Sequence, residues 1–211
     1  MLAPHPVTLP AAPVREAPGQ DSLDRRAGIP TVISVDRIIG PPVTWHPDIA
    51  MALLRIGVGA YLGKAVLTKL TVVWLGGLVP WPVVSPRWMA VMPHLVARQA
   101  AGNPLMWYRD FLTGTVLHHG TLFAQLTAWG EAVSGTLLVL GLLTGVGSAL
   151  GIWLVANYAL ATQWMSPSQQ VMHALLLLIL LLCWVTRAGR RWGVDALMAS
   201  RGGWLSHRPF S

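Results

Sequence analysis

Glu131 is the side chain with the greatest chemical potential in this chain, because no other charged residue occurs from 112 to 185. A carboxylate in so apolar a stretch either pairs with a cation or changes its protonation state. The apolar stretch that precedes it contains three basic residues, Arg55, Lys64 and Lys69. These four residues are therefore the candidates for chemistry inside the apolar part of the chain.

Two roles are open for this set. If both stretches are helical, Lys64 lies at the depth of Glu131, and Lys69 lies about 7 Å farther out, which a long side chain covers. In the first role, Glu131 and one lysine form a buried ion pair that holds two helices together. In the second, the same acid and lysine line a pocket that binds a quinone headgroup or relays a proton to it. Arg55, near the start of its stretch, is expected to extend toward lipid headgroups.

Histidines offer a different chemistry. His118 and His119 precede the stretch that holds Glu131, and His173 opens the last apolar stretch. Opposed imidazoles from two helices can ligate a haem or a chlorophyll-type pigment. Histidines at helix ends also serve as hydrogen-bonding groups at a membrane interface. Both interpretations stay open at the level of sequence.

Other classes of site find no support in the sequence. The single cysteine, Cys183, rules out a disulfide framework and a cysteine metal site, and no metal site is expected. No serine or threonine has a recognisable His-acid partner, and no phosphate-binding glycine loop occurs. The net charge of +7 is spread over termini and loops, so nucleic acid is not an expected partner. We expect a non-catalytic subunit or, if the protein is an enzyme, a quinone-linked oxidoreductase.

The elements that must position these residues are helices in a lipid bilayer. Of 211 residues, 54% are hydrophobic and 11% are charged, whereas soluble domains carry about 25% charged residues. The expected fold is an all-α, four-helix up-down transmembrane bundle with a Trp/Pro-rich interfacial loop. The expected spans are residues 49–79, 116–143, 146–164 and 172–186, and the loop is 80–115. We expect close approach between helices at five glycines: Gly130, Gly135, Gly141, Gly145 and Gly151.

The two ends differ in composition from this core. Residues 1–48 are rich in proline and alanine and are expected to form an extended tail that contacts other subunits of a membrane complex. Residues 187–211 form a second, basic tail. Because arginines are concentrated in both ends, the positive-inside rule places both termini in the cytoplasm of a bacterial-type inner membrane.

Several segments resemble the DoxX/DoxD-like family of membrane proteins. The runs that carry the resemblance are NPLMWYRDFL, TLFAQLTAWGEAVSGTLLVLGLLTG and AGRRWGVDAL, together with Asn157–Ala161 and the basic residues of the first span. The resemblance covers about residues 50–198 and implies a four-helix membrane protein. Some members are described as the small subunit of a thiosulfate:quinone oxidoreductase. The resemblance favours Lys69 over Lys64 as the partner of Glu131. The residues of this chain that match family positions are Arg55, Lys69, Trp107, Tyr108, Arg109, Asp110, Glu131, Asn157, Arg190 and Asp195.

Two departures from the family pattern shape the functional expectation. His118 and His119 stand where relatives commonly have Pro-Asn, and Gly145 stands near a position where they have a basic residue. With the 48-residue extension, these differences favour an accessory subunit of a larger respiratory or photosynthetic redox complex. A small subunit of a thiosulfate:quinone oxidoreductase, with a quinone and proton site around Glu131, is the alternative. A haem- or pigment-binding subunit is a third interpretation.

Overall fold

The computed structural model describes residues 47–190 and 192–200, which belong to the second of two units in the chain, Trp45–Ser211. The tail expected at 1–48 therefore lies, except for its last two residues, outside the described residues, whereas the tail expected at 187–211 is described through residue 200 except for residue 191. The described part is mainly helical. Its longer helices are α1 (Pro47–Gly63), α3 (Pro86–Ala101), α5 (Gly120–Leu140), α6 (Thr144–Thr162) and α7 (Pro167–Thr186), and its shorter ones are α2 (Ala65–Thr68), α4 (Met106–Phe111) and α8 (Val194–Ser200).

The first expected span, residues 49–79, is wrong in its second half. The helix breaks after Gly63, continues for one turn as α2, and gives way to an antiparallel hairpin of strands β1 (Leu70–Leu75) and β2 (Val79–Val84). The hairpin sequence is rich in valine and tryptophan, which favour strands. Gly76 and Gly77 turn the chain with φ angles of 59° and 75°, a backbone region that glycine enters without strain.

The segment expected as an interfacial loop, residues 80–115, is mostly ordered into β2, α3, α4 and a π-helical turn, Leu112–Val116. The prolines of this segment do not all interrupt helices, because one of them helps to start α3. Pro86 occupies the first turn of α3, where its missing N–H is not needed, and the side chain of Ser85 caps the helix by accepting the N–H of Trp88 at 3.2 Å. A proline also lies inside α3, at Pro93.

The remaining expected spans correspond to α5, α6 and α7, with boundaries that differ by a few residues. Three helical stretches in the described residues are long and apolar enough to cross a membrane: Pro47–Thr68, Thr144–Thr162 and Pro167–Thr186. α5 has comparable length, but Gln125 and Glu131 lower its apolar character. The long helices pack in succession, with α1 against α5, α5 against α6, α6 against α7, and α7 back against α1.

Glycines allow the closest of these approaches. A Cβ atom built on Gly135 of α5 would overlap the backbone of Gly63, and one built on Gly59 would lie 2.8 Å from the backbone nitrogen of Val139. Gly59 and Gly63 have the spacing of the GxxxG motif, in which small residues let two membrane helices meet backbone to backbone. Close approach was expected at Gly135, whereas its two partners on α1 were not anticipated.

This contact generates a stability prediction with an internal control. Gly59→Ala places a methyl group against the backbone of α5, so we expect a loss of about 1–3 kcal/mol in the free energy of unfolding. Gly57→Ala, one half-turn away on the same helix, meets no atom within 4 Å and should be neutral or stabilising. Thermal unfolding of both variants in detergent measures the difference. Equal midpoints would show that the α1–α5 contact tolerates a side chain.

Candidate functional site

The ion pair expected between Glu131 and a lysine is present, and the lysine is Lys69. Its Nζ lies 2.8 Å from Oε2 of Glu131, and the two side chains are only 15% and 9% exposed. Lys69 ends the single turn of α2, directly before β1, while Glu131 lies in the middle of α5. The break in the first helix therefore brings the ammonium group to the carboxylate.

Aromatic side chains complete the environment of this pair. The hydroxyl of Tyr158, on α6, donates a hydrogen bond of 2.6 Å to Oε1 of Glu131, so both carboxylate oxygens have a partner. The ammonium of Lys69 lies 4.0 Å from the centroid of a Trp88 ring, within the range of a cation–π interaction. Trp88 is itself fixed because its indole N–H donates to the carbonyl of Ala124 at 3.0 Å. The pair is thus held by α2, α3, α5 and α6 together.

A cavity of about 380 Å³ opens beside the pair. It lies within the range of about 300–1,000 Å³ that is typical of small-molecule sites. Its wall combines apolar side chains with neutral groups that can form hydrogen bonds. The lining residues outside the pair are Tyr61, Leu62, Lys64, Trp88, Leu95, Gln99, Val155, Tyr158, Thr162, Gln169, Met172, His173 and Leu176.

Lys64 adds a positive charge to this cavity. Its ammonium lies 3.9 Å from the ring centroid of Tyr61, and no carboxylate of the described residues forms an ion pair with it. Since Glu131 compensates Lys69, the charged side chains lining the cavity have a net charge of about one positive unit, with histidine taken as neutral. The electrostatics of the cavity therefore favour a ligand that gains negative charge.

The candidate histidines are divided between two places. His173 is buried, lines the cavity and lies 3.4 Å from Oγ1 of Thr162 through Nδ1. The rings of His118 and His119 contact each other edge to face, with centroids 4.9 Å apart, and do not line this cavity. Within 47–190 and 192–200, no three His, Cys, Asp or Glu side chains cluster as a metal site.

Arg55 was expected to extend toward lipid headgroups, and this expectation is wrong. The residue is fully buried, and its guanidinium donates to the carbonyls of Ala188 and Trp192 at 3.3 and 2.9 Å. Asp195, also fully buried, accepts the N–H groups of Leu143 and Thr144 at 2.7 and 2.9 Å, at the N-terminus of α6. The chain after residue 187 therefore packs against the helices through residue 195, and Arg55 is remote from the Glu131 cavity.

Other residues carried over from the family resemblance have unequal roles. Tyr108 is buried and donates to the carbonyl of Asn157 at 2.9 Å, and burial raises the pKa of its phenol to about 12. Trp107 is exposed, and Arg109 and Asp110 approach each other only to 3.8 Å at the surface. Arg190 lines a separate polar cavity of about 230 Å³. Only Tyr108 and Asn157 of this set fasten α4 to α6.

Three residues important for this arrangement were missed by sequence reasoning. Tyr158 and Trp88 complete the site, and Asn103 fastens the turn before α4 because its side chain donates to the carbonyl of Leu160 at 2.9 Å. Tyr158 could have been found, since it lies in the middle of an apolar helix where a hydroxyl needs a partner. Trp88 looked like one more interfacial tryptophan.

The second half of the chain matches a known protein family. Residues 99–207 match the model of a family described as TQO small subunit DoxD. The chain belongs to this family. The matched range contains Glu131 and Tyr158, whereas Lys69 and Trp88 precede it. No curated protein and no solved structure gives a significant match.

Family membership and the apolar helices show a membrane protein. Its buried acid, Glu131, lies within the matched residues, and the cation that pairs with it, Lys69, lies before them. The match describes a subunit of an oxidoreductase.

The ion pair generates a second stability prediction. Glu131→Gln leaves the ammonium of Lys69 without its countercharge, and we expect a loss of about 3 kcal/mol in unfolding free energy. Asp110→Asn removes a similar charge from an exposed side chain and should change stability by less than about 0.5 kcal/mol. Adding Lys69→Met to Glu131→Gln should recover much of the loss. If the double variant is as unstable as the sum of the single variants, the two side chains do not interact.

Proposed function

We propose that this protein is an integral membrane subunit of a larger redox complex and that it provides a quinone headgroup site beside the Lys69–Glu131 pair. Four membrane crossings, by α1–α2, α5, α6 and α7, with both termini in the cytoplasm, form part of the proposal. Membership of a family described as the small subunit of TQO supports the subunit role. Electrons would come from a partner subunit, and the N-terminal 46 residues are proposed to contact such partners.

The observation that carries the quinone site is the cavity of about 380 Å³ on the ion pair. A quinone ring is apolar on its faces and has two carbonyl oxygens that accept hydrogen bonds. The cavity offers apolar walls, such as Leu95 and Leu176, and possible donors in Lys64, Gln99 and Gln169. Such a combination of an apolar surface with few polar groups is typical of cofactor sites.

The charges of the site suit the reduction of a quinone. Reduction to the quinol takes two electrons and two protons, and negative charge develops on the ring oxygens before the protons arrive. The uncompensated ammonium of Lys64 stabilises that charge. In this proposal Glu131 first takes up a proton from water and passes it to the oxygen of Tyr158, 2.6 Å away, while the phenol releases its own proton to the reduced quinone.

An accessory subunit that only supports its complex is the simpler alternative. In that case the ion pair stabilises the helices, and the cavity holds lipid. The excess positive charge on the cavity wall favours the quinone site over this alternative, because a lipid acyl chain gains nothing from a cation.

Photolabelling tests the site directly. We expect an azido-substituted short-chain quinone, added to the complex purified in mild detergent, to label peptides that contain Trp88 or Tyr158. Excess unlabelled quinone should compete. Leu176→Trp adds a large side chain to the cavity wall and leaves both residues of the ion pair unchanged, so it should reduce labelling at least tenfold while leaving copurification with the partner subunits unchanged. Asp110→Asn removes an exposed charge away from the cavity, so this control variant should label as the parent chain does.

Two results would contradict the proposal. Labelling confined to peptides away from the cavity would place any quinone elsewhere. Full labelling of Leu176→Trp, with wild-type stability, would show that the cavity is not used.

A further inference from the structure

The β1–β2 hairpin is the most unusual feature of the fold outside the proposed site. It carries no charged residue, and its exposed side chains are large and apolar: Val72, Val73, Trp74, Leu75, Leu78, Val79 and Trp81. A two-stranded hairpin is marginally stable by itself and usually needs a third strand or a helix to cover it. Within the described residues, other elements cover only the base of the hairpin, where β1 begins and β2 ends.

The base of the hairpin lies deep beside α5. Lys69, immediately before β1, pairs with Glu131, which is about 16 Å along α5 from its first residue. Leu70 and Pro82 line an apolar groove together with Trp129 and other residues from the second half of α5. The strands therefore start in the apolar part of the protein. In hydrocarbon, an open strand edge is very costly, because lipid cannot satisfy its N–H and C=O groups.

The two outer edges of the hairpin differ in their free backbone N–H donors. The amide of Ser85 donates to the carbonyl of Lys69 at 2.8 Å, which fixes the alternation of hydrogen bonds along the ladder. By that alternation, Pro80 and Pro82 stand at positions whose nitrogen points away from β1. Proline has no N–H, so the outer edge of β2 is blocked there, as edge strands often are. The outer edge of β1 keeps its N–H donors at Leu70, Val72 and Trp74.

We propose that the outer edge of β1 pairs with β1 of a second copy of this chain. In an antiparallel arrangement centred on Val72, the two-fold axis brings Val72 opposite its own copy and Leu70 opposite Trp74. All outward donors and acceptors at these positions are then satisfied, and a four-stranded sheet joins the two protomers. The absence of charge from Leu70 to Val84 lets this surface meet itself without repulsion, and two-fold pairing is the commonest form of self-association.

Disulfide crosslinking in the full-length protein tests this pairing, independently of the quinone site. In a Cys183→Ala background, Val72→Cys should form a dimer crosslink on mild oxidation in lipid nanodiscs. Val79→Cys is the matched control, since Val72 and Val79 are 55% and 54% exposed on opposite strands. We expect the crosslinked fraction to be at least fivefold greater for Val72→Cys.

Val72→Pro gives a second readout. It removes one outward N–H and leaves the hydrogen bonds between β1 and β2 in place, as Pro82 does on the other strand. The variant should remain folded and run as a monomer by native mass spectrometry, whereas the parent chain runs as a dimer. A monomeric parent chain, equal crosslinking at both cysteines, or a Val72→Cys crosslink to another protein would each overturn the proposal.

Discussion

A charge cannot remain alone in an apolar interior, and the Lys69–Glu131 pair is where this constraint decides the fold. To bring the ammonium within 2.8 Å of the carboxylate, the chain leaves the α1 helix after Gly63, makes one more turn and turns into β1. The hairpin, the cover provided by Trp88 and the cavity beside Tyr158 all follow from this departure.

The structure uses two different solutions for buried charge at two ends of the helices. Lys69 meets an opposite charge directly, with aromatic rings over the rest of its surface. Arg55 instead receives backbone carbonyls, while Asp195 receives backbone N–H groups nearby. The first solution leaves a space beside the pair. In the second, both side chains are 0% exposed, so the first is the one suited to binding a ligand.

The sequence predicted what depends on long apolar runs and isolated charges. The membrane class, the bounds of α5 to α7 within a few residues, and an ion pair between Glu131 and a lysine came from these signals. The preference for Lys69 over Lys64 came from the family resemblance. Local pattern failed where tertiary contacts dominate. The hairpin shares its apolar composition with the helix before it, so both were predicted as one membrane span. Arg55 looked like a surface cation because its partners, at Ala188 and Trp192, are more than a hundred residues away.

This separation of Arg55 from its partners has a consequence for biosynthesis. Among the described residues, the guanidinium lies in the first long helix, whereas the carbonyls that receive it follow more than 130 residues later. Until those residues are made, α1 carries a cation whose insertion into lipid is unfavourable, so its stable integration must await synthesis through residue 192. A chain that ends before residue 188 would leave this cation in the bilayer without either of its acceptors.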